Sequence, residues 1–578
     1  MPLELDYQKE GNNQGLATYF REHLRLELED ILADYTKPDG SPYNLYTDGL
    51  KIYTTLDARL QRYAEEAVQE HMAEVQQLLE EDWKKRTAPW EQGSIIERAV
   101  EQSDRYQQLK AKGVPQEQIE EIFKTPVRMT VFSWEGGEAE REMSPLDSIK
   151  YYLSIMNAGF LAADPSEGLV KAWVGGIHHK YFQYDHVLSN RQVGSTFKPI
   201  VYAAALQGGM LPCEYTYNRQ VTYAKYDNWQ PRNADGEYGG VYSMEGALSQ
   251  SVNTVTVELM MRTGIDTVRQ LAQAMGIDHH IPKVPAISLG AVEASLYDMV
   301  RVYGTFANQG KRPQLHYLDR IETADGEVIA EFDRPVPAQF PRVLEAAQAQ
   351  MMTGMLQSVV DSGTARKLRY QFGLYNDLAG KTGTTQRQTD GWFVGYNPKL
   401  VAGAWVGAEW PQVHFRTLYR GQGSATALPI YGRFMRKLYK DQAFKSIRYA
   451  RFPEPADTVA ALMKCPPYLE EMPILAAHED GYYYFEDNRS LLGRVLDQPY
   501  RDEEGRIINV PPRMEGESDE AYVRRVRRYQ EQLEARKERR EKRKDFWSKL
   551  LFGKEEKEKQ EEEPPGTGYR YFDRRDEQ

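Results

Sequence analysis

The sequence is short of the residues that mark a metalloprotein, a disulfide scaffold or a nucleic-acid binder. Its 578 residues include two cysteines, Cys213 and Cys465. Two thiols so far apart offer no metal-ligand spacing and no disulfide framework, and a single bridge between them is left open. Lys and Arg (73) are outnumbered by Asp and Glu (85), giving a net charge of −12. That balance excludes a general electrostatic attraction to nucleic acid. Long apolar runs are also missing. The most apolar stretch, "LVAGAWVGA" from Leu400 to Ala408, is far too short to span a bilayer. The opening "MPLELDYQKEGNNQG" has no apolar segment of the kind found in an export signal. The histidine pairs His178–His179 and His279–His280 carry no metal expectation, because neighbours in a strand face opposite sides. No metal and no cofactor are expected. Regular strand–helix alternation is absent too, which excludes a doubly wound parallel sheet.

Hydrophobic residues make up 41% of the chain and aromatics 11%, enough to bury a large core. The 38 tyrosines suit a groove that is part polar, part apolar. Apolar spacing predicts a helix in "ATYFREHLRLELEDILADY", a break at "TKPDGSPYN", a strand in "GLKIYTTLD", and a long helix beginning after Asp57, which caps it. Residues from about 80 to 145 read as a polar, helical inserted subdomain ending in "RMTVFSW". "AGFLAADPSEGLVKAWVGG" reads as a hairpin, with apolar runs on either side of a turn. The expected organisation is a linker remnant over 1–45 and a main domain over 46–445. A small C-terminal region over 446–515 and a charged helical or disordered tail over 516–578 follow, the tail containing the apolar patch "FWSKLLF".

Three short motifs carry the chemistry. In "RQVGSTFKPI", Ser195 and Lys198 stand three positions apart and so share one helix face. A serine hydroxyl is a weak nucleophile and needs a base. A lysine whose pKa is lowered by burial and nearby positive charge can be that base. In the first helical turn the serine also points its own N–H toward a reacting carbonyl, which is half an oxyanion hole. In "ALSQSVNTVTVEL", Ser251 and Asn253 add a hydroxyl and an amide. In "AGKTGTTQRQTDGWFVGYNP", Lys381, Thr382, Gly383 and Thr384 place a cation, two hydroxyls and a glycine on what reads as an edge strand. Such an edge can pair with an extended peptide, and the glycine would let that peptide approach closely. Each motif alone is weak: S-x-x-K should recur on the order of once or twice by chance in such a chain. Together and in this order they are the set of serine β-lactamases and penicillin-binding proteins.

The resemblance extends beyond the motifs. "GLKIYTTLDARLQRYAEEAV", "GFLAADPSEGLVKAWVGG", "GAVEASLYDMVRVYGTFANQGKRP", "VVDSGTARKLR" and "DGWFVGYNPKLVAGAWVG" all resemble the transpeptidase half of class A penicillin-binding proteins, over roughly residues 45 to 445. The resemblance implies a mixed α and β, β-lactamase/transpeptidase-like fold. It has an antiparallel sheet of about five strands between an all-helical lobe and further helices, with the nucleophile at the start of a buried helix. It also implies roles. Ser195 attacks the penultimate D-alanine of a peptidoglycan stem peptide, and Lys198 takes its proton. Ser251, helped by Lys198 or Lys381, returns a proton to the departing amine. Asn253 holds the substrate amide, while Lys381, Thr382 and Thr384 hold the terminal carboxylate. The N–H groups of Ser195 and Thr384 form the oxyanion hole. β-Lactams would acylate the same serine. Asp390 and Trp392 are expected to support the third-motif strand.

Implied partners are stem peptides, β-lactams and other cell-wall synthesis proteins, with no nucleic acid. Family members carry a membrane helix and a glycosyltransferase domain before this half. No "EDxxFxxHxG"-like stretch is found here, and "GLATYFREHLRLELE" resembles the linker that follows that domain. The chain is therefore read as the C-terminal part of a longer protein, with membrane association only through that missing part and an extracytoplasmic place of action. Two alternatives share the serine: hydrolysis, by a D,D-carboxypeptidase or a β-lactamase, and noncatalytic binding of stem peptides or β-lactams. A β-lactamase needs a second base between the second and third motifs. Glu293 lies there, within a stretch that resembles the transpeptidase helix.

Overall fold

The computed structural model describes residues 14–84, 88–91 and 95–472, together with the backbone of 476–477 and 483–484. Helix α1, Thr18–Leu32, buries Phe20, Leu24, Leu28 and Leu32 on one face. Strand β1, Lys51–Thr54, leads into helix α2, Ala58–Trp83. Asp57 caps α2 as expected: its carboxylate accepts from Arg59 N at 2.9 Å and Leu60 N at 3.2 Å.

The stretch read as polar and helical is only partly so. Short helices at Ile95–Gln102, Asp104–Ala111 and Gln116–Lys124 are followed by an antiparallel hairpin of β2, Val127–Ser133, and β3, Gly137–Met143. Strand β3 reads "GEAEREM" and is mostly exposed, so it carries no alternating apolar signal. Pairing with β2, whose end at Val131 to Ser133 is buried, holds it extended.

The expected second hairpin is present as β4, Asn157–Ala163, and β5, Val170–Val174. Helix α3, Lys198–Gln207, helix α4, Asn253–Thr263, and helix α5, Leu296–Ala307, follow. Then come helix α6, Ala346–Asp361, strands β6, Ala379–Thr384, β7, Asp390–Asn397, and β8, Leu400–Gly407, and helix α7, Leu428–Lys440. The strands form one antiparallel five-stranded sheet in the order β6–β7–β8–β4–β5. Every residue of β4, β7 and β8 is buried, because both faces of the sheet are covered. On one face Phe160 meets Phe434 of α7 with ring centres 4.7 Å apart, and Phe393 meets Tyr431 at 4.9 Å. On the other, Cβ atoms built at Gly403 and Gly304 would touch Val300 of α5 and Val401 of β8, so α5 lies flat on the sheet. The third motif lies on β6, an edge strand as expected.

A small three-stranded sheet joins Thr216–Tyr217, Val241–Tyr242 and Tyr468–Leu469. Cys213 and Cys465 are bonded beside it, with Cα atoms 5.7 Å apart across 252 residues of sequence. Residues Ile474–Gln578 form a second unit, in which Ala476–Ala477 pairs with Tyr483–Tyr484. The expected charged tail over 516–578, its "FWSKLLF" patch and most of the 446–515 region beyond 472 lie outside the described residues. Among the described residues no helix is long and apolar enough to cross a membrane.

Candidate active site

Gly194 to Phe197 form a 3-10 turn that runs directly into α3. With three residues per turn, positions i and i+3 eclipse. Ser195 and Lys198 therefore align along one side of the turn, and all residues of α3 from Lys198 to Leu206 are buried. Ser195 itself is half-buried. Gly194 has φ +53°, and a Cβ there would lie 2.7 Å from the Thr384 carbonyl oxygen. Glycine is what lets the nucleophile turn lie against the end of β6.

The hydrogen bonds of the Lys198 amine run to the second motif. They do not run to Ser195. Lys198 Nζ donates to Ser251 O at 2.6 Å, Ser251 Oγ at 3.1 Å and Asn253 Oδ1 at 2.7 Å. The ammonium's three donor positions are thereby used by the second motif. Lys381 Nζ reaches the same Ser251 Oγ at 3.0 Å and the Thr382 carbonyl at 3.0 Å. One hydroxyl thus stands between two amines, each 0% exposed. A hydroxyl that accepts twice keeps its own O–H to donate. Burial, and then the neighbouring Lys381 charge, holds Lys198 well below the usual lysine value. Burial pushes Lys381 down to about 7. Both shifts bring the buried amines toward the range in which one can accept a proton and its neighbour can supply it.

Gly383 lies close against the chain's own backbone. Alternation along β6 puts Lys381 and Gly383 on the face toward the nucleophile turn. A Cβ at Gly383 would lie 2.7 Å from the Val193 carbonyl oxygen and 2.9 Å from Thr196 Cγ2. The glycine thereby permits a close approach of the turn that carries Ser195. Thr382 and Thr384 point to the opposite face. Thr382 Oγ1 shares a hydrogen bond with Thr364 Oγ1 at 2.7 Å, and Thr384 Oγ1 accepts from Gly423 N at 2.9 Å. The Thr384 hydroxyl keeps its proton to donate to an anion.

Trp392 and Asp390 stay behind the strand. Trp392 Nε1 donates to the Gln192 carbonyl at 2.8 Å, and Asp390 accepts from Thr385, Thr389 and Trp405. Trp229 is half-buried against Tyr223 in the loop beside the second motif, with ring centres 6.0 Å apart. Glu293 is exposed on a two-residue strand, Glu293–Ala294, that pairs with Arg191–Gln192. The stretch expected to be wholly helical thus opens with a strand. His178–His179 and His279–His280 lie outside strands, so the alternation of strand faces does not apply to them. Among the described residues no group of three or more His, Cys, Asp or Glu side chains could hold a metal ion.

Thr364 and Gly423 were not singled out from the sequence. Thr364 lies in "VVDSGTARKLR", whose likeness to the family was the available signal. Nothing local marks Gly423.

A serine on a tight turn, two buried lysines sharing a second serine, and an edge strand ending at the nucleophile define a class, that of lysine-assisted serine peptidases and transpeptidases. Residues 158–436 match the penicillin binding protein transpeptidase domain, and residues 82–156 match the penicillin-binding protein middle domain. The chain carries a penicillin-binding protein transpeptidase domain and middle domain and is homologous to penicillin-binding protein 1A. It is 28% identical over 481 residues to penicillin-binding protein 1A of Rickettsia bellii, covering 74% of this chain and 58% of the relative. It is 33% identical over 302 residues to penicillin-binding protein 1A of Neisseria meningitidis, covering 51% of this chain and 37% of the relative. The chain thus spans little more than half of one curated relative and less of the other.

The crystal structure of penicillin-binding protein 1A from Haemophilus influenzae superposes with a TM-score of 0.55 at 20% identity, covering 76% of this chain and 72% of that one. The structure of the PonA1 protein from Mycobacterium tuberculosis in complex with penicillin V gives 0.52 at 22% identity, covering 78% and 100%. These two likenesses establish the fold, which is the one expected from the sequence.

Proposed function

We propose that this chain is a D,D-transpeptidase that cross-links peptidoglycan stem peptides through a serine acyl-enzyme and is acylated by β-lactams. The observation that carries the reading is the Ser251 hydroxyl held 3.1 Å from Lys198 Nζ and 3.0 Å from Lys381 Nζ, which joins all three motifs in one site. Neutral Lys198 takes the Ser195 proton as the serine oxygen attacks the penultimate D-alanine carbonyl. The N–H groups of Ser195 and Thr384 receive the oxyanion. Ser251 passes a proton to the departing D-alanine amine, with Lys198 or Lys381 replenishing it. Asn253 orients the stem-peptide amide, the Thr382 and Thr384 hydroxyls receive the terminal carboxylate, and the Lys381 charge on the other face of the strand attracts it. An amine of a second stem peptide then attacks the ester and frees Ser195. Stem peptides are polymer-bound outside the cytoplasmic membrane, so the activity belongs on that side, beside other cell-wall synthesis proteins. A D,D-carboxypeptidase would share every step up to the acyl-enzyme and differ only in using water as acceptor.

The test is intact-protein mass spectrometry after incubation with benzylpenicillin, with Ser195→Ala in parallel. The parent is expected to gain the mass of one antibiotic molecule and keep it, and the variant to gain none. Rapid antibiotic loss without an adduct would replace the reading with a β-lactamase. Neither adduct nor loss would overturn it.

A further inference from the structure

The turn that carries Ser251 and Asn253 is held by a residue outside all three motifs. Ser251 has φ +58°, in the left-handed region that a non-glycine residue enters at a cost. The backbone is extended at Val252, and α4 begins at Asn253. The first N–H groups of a helix have no partner within it, and valine has no side-chain oxygen to offer them. Asn233 supplies the oxygen from another segment. Its Oδ1 accepts from Asn253 N at 2.9 Å and from Thr254 N at 3.1 Å.

The other end of the Asn233 amide fixes its orientation. Nδ2 donates to Asn218 Oδ1 at 2.7 Å and to the Glu237 carbonyl at 2.7 Å. Asn218 Oδ1 also accepts from Thr254 Oγ1 at 2.7 Å. The neck of this loop is closed by Asn218 N to Gly240 O at 3.0 Å and Gly239 N to Asn218 O at 2.8 Å. The neighbouring Arg232 carbonyl accepts from Asn253 Nδ2 at 2.7 Å. With its nitrogen so engaged, Asn253 turns its oxygen to Lys198. Asn218 and Asn233 are both buried, so water does not readily replace these bonds.

We propose that Asn233 is the positioning residue of the second motif: it caps α4 from the loop and so fixes the acceptors that hold the Lys198 amine. The proposal rests on the transpeptidase reading. All three bonds of Lys198 end on Ser251 and Asn253, on either side of the strained turn. Release of the cap lets the Ser251 backbone relax from the left-handed region, and those acceptors then move together. Asn233 has no place in the chemistry itself, and its effect passes through the position of Lys198.

The test measures acylation of the full chain by a fluorescent penicillin, separating the limiting rate from the concentration at half-saturation. Asn233→Leu keeps the branched shape and removes both the acceptor and the donor. Asn233→Asp keeps an oxygen for both N–H groups. The limiting rate is expected to fall at least tenfold in Asn233→Leu and to recover part of that loss in Asn233→Asp, which keeps the cap but loses the two bonds that Nδ2 donates, with the circular dichroism of both unchanged. If Asn233→Leu does not fold, Asn233→Ser, whose short hydroxyl does not span both N–H groups, takes its place with the same expected loss. Parent-like rates in the leucine or serine variant would overturn the proposal. Equal losses in that variant and Asn233→Asp would also overturn it, since the bonds donated by Nδ2, and not the cap, would then hold the motif. A parent that is not acylated at all would overturn the transpeptidase reading first, and the proposal with it.

Discussion

Lys381→Met removes one of two buried amines that share a single hydroxyl, and its consequence for Lys198 can be worked from the geometry. Both nitrogens sit 3.0–3.1 Å from Ser251 Oγ, so they lie within about 6 Å of each other. At that separation and an effective dielectric of about 20, two positive charges repel by about 3 kcal/mol. That is about a hundredfold in the protonation equilibrium of either amine. Lys198 works as a base only when neutral, so acylation rises with pH until its proton is lost. Removing Lys381 removes the repulsion against the Lys198 ammonium, and Lys198 holds its proton more tightly. The acid limb of the acylation profile therefore moves to higher pH in Lys381→Met. The rate deficit is largest on the acid side of neutrality and shrinks as the pH rises. Lys381→Arg keeps the charge and should shift the limb less. The assay is the second-order rate constant for acylation by a fluorescent penicillin as a function of pH. A deficit constant at every pH would refute the reasoning and leave Lys381 as a binding group alone.

Two other perturbations follow from the packing. Gly194→Ala would put a methyl group 2.7 Å from the Thr384 carbonyl oxygen and require alanine at φ +53°, and should slow acylation by about a hundredfold while costing about 1–3 kcal/mol of stability. Parent-like acylation in that variant would mean that the turn need not lie against β6. The Cys213–Cys465 bond closes a loop of 252 residues, for which chain entropy predicts on the order of 5 kcal/mol of stabilisation. Urea unfolding with and without reductant, and of Cys213→Ser, should show a loss of that order. A loss under about 1 kcal/mol would mean that the unfolded chain is already restrained.

Much of the fold was legible because its strongest local signals agree with its tertiary role. The Asp57 cap and the hairpin around Asp164 to Gly168 follow from turn chemistry and hydrophobic pattern. Strand β3 was missed because its residues face water and only its partner makes it a strand. The opening of "GAVEASLYDM" was read as helix although Glu293–Ala294 pairs with Arg191–Gln192, a partnership about a hundred residues away in the chain that no local window reveals.

The sequence by itself determined the chemical parts. Serine, lysine, amide and threonine hydroxyl occur in fixed order at short spacing, because a nucleophile, a base and an anion site demand those residue types. The tertiary structure alone decided how the parts are joined. It bound Lys198 to Ser251 and Asn253 rather than to Ser195, turned Gly383 toward the nucleophile turn, paired two cysteines 252 residues apart, and brought Asn233 to cap α4. Those are long-range facts, set by which buried surfaces close on one another. The lowered pKa values of the two lysines belong with them, since they come from burial, and burial is a property of the packed chain.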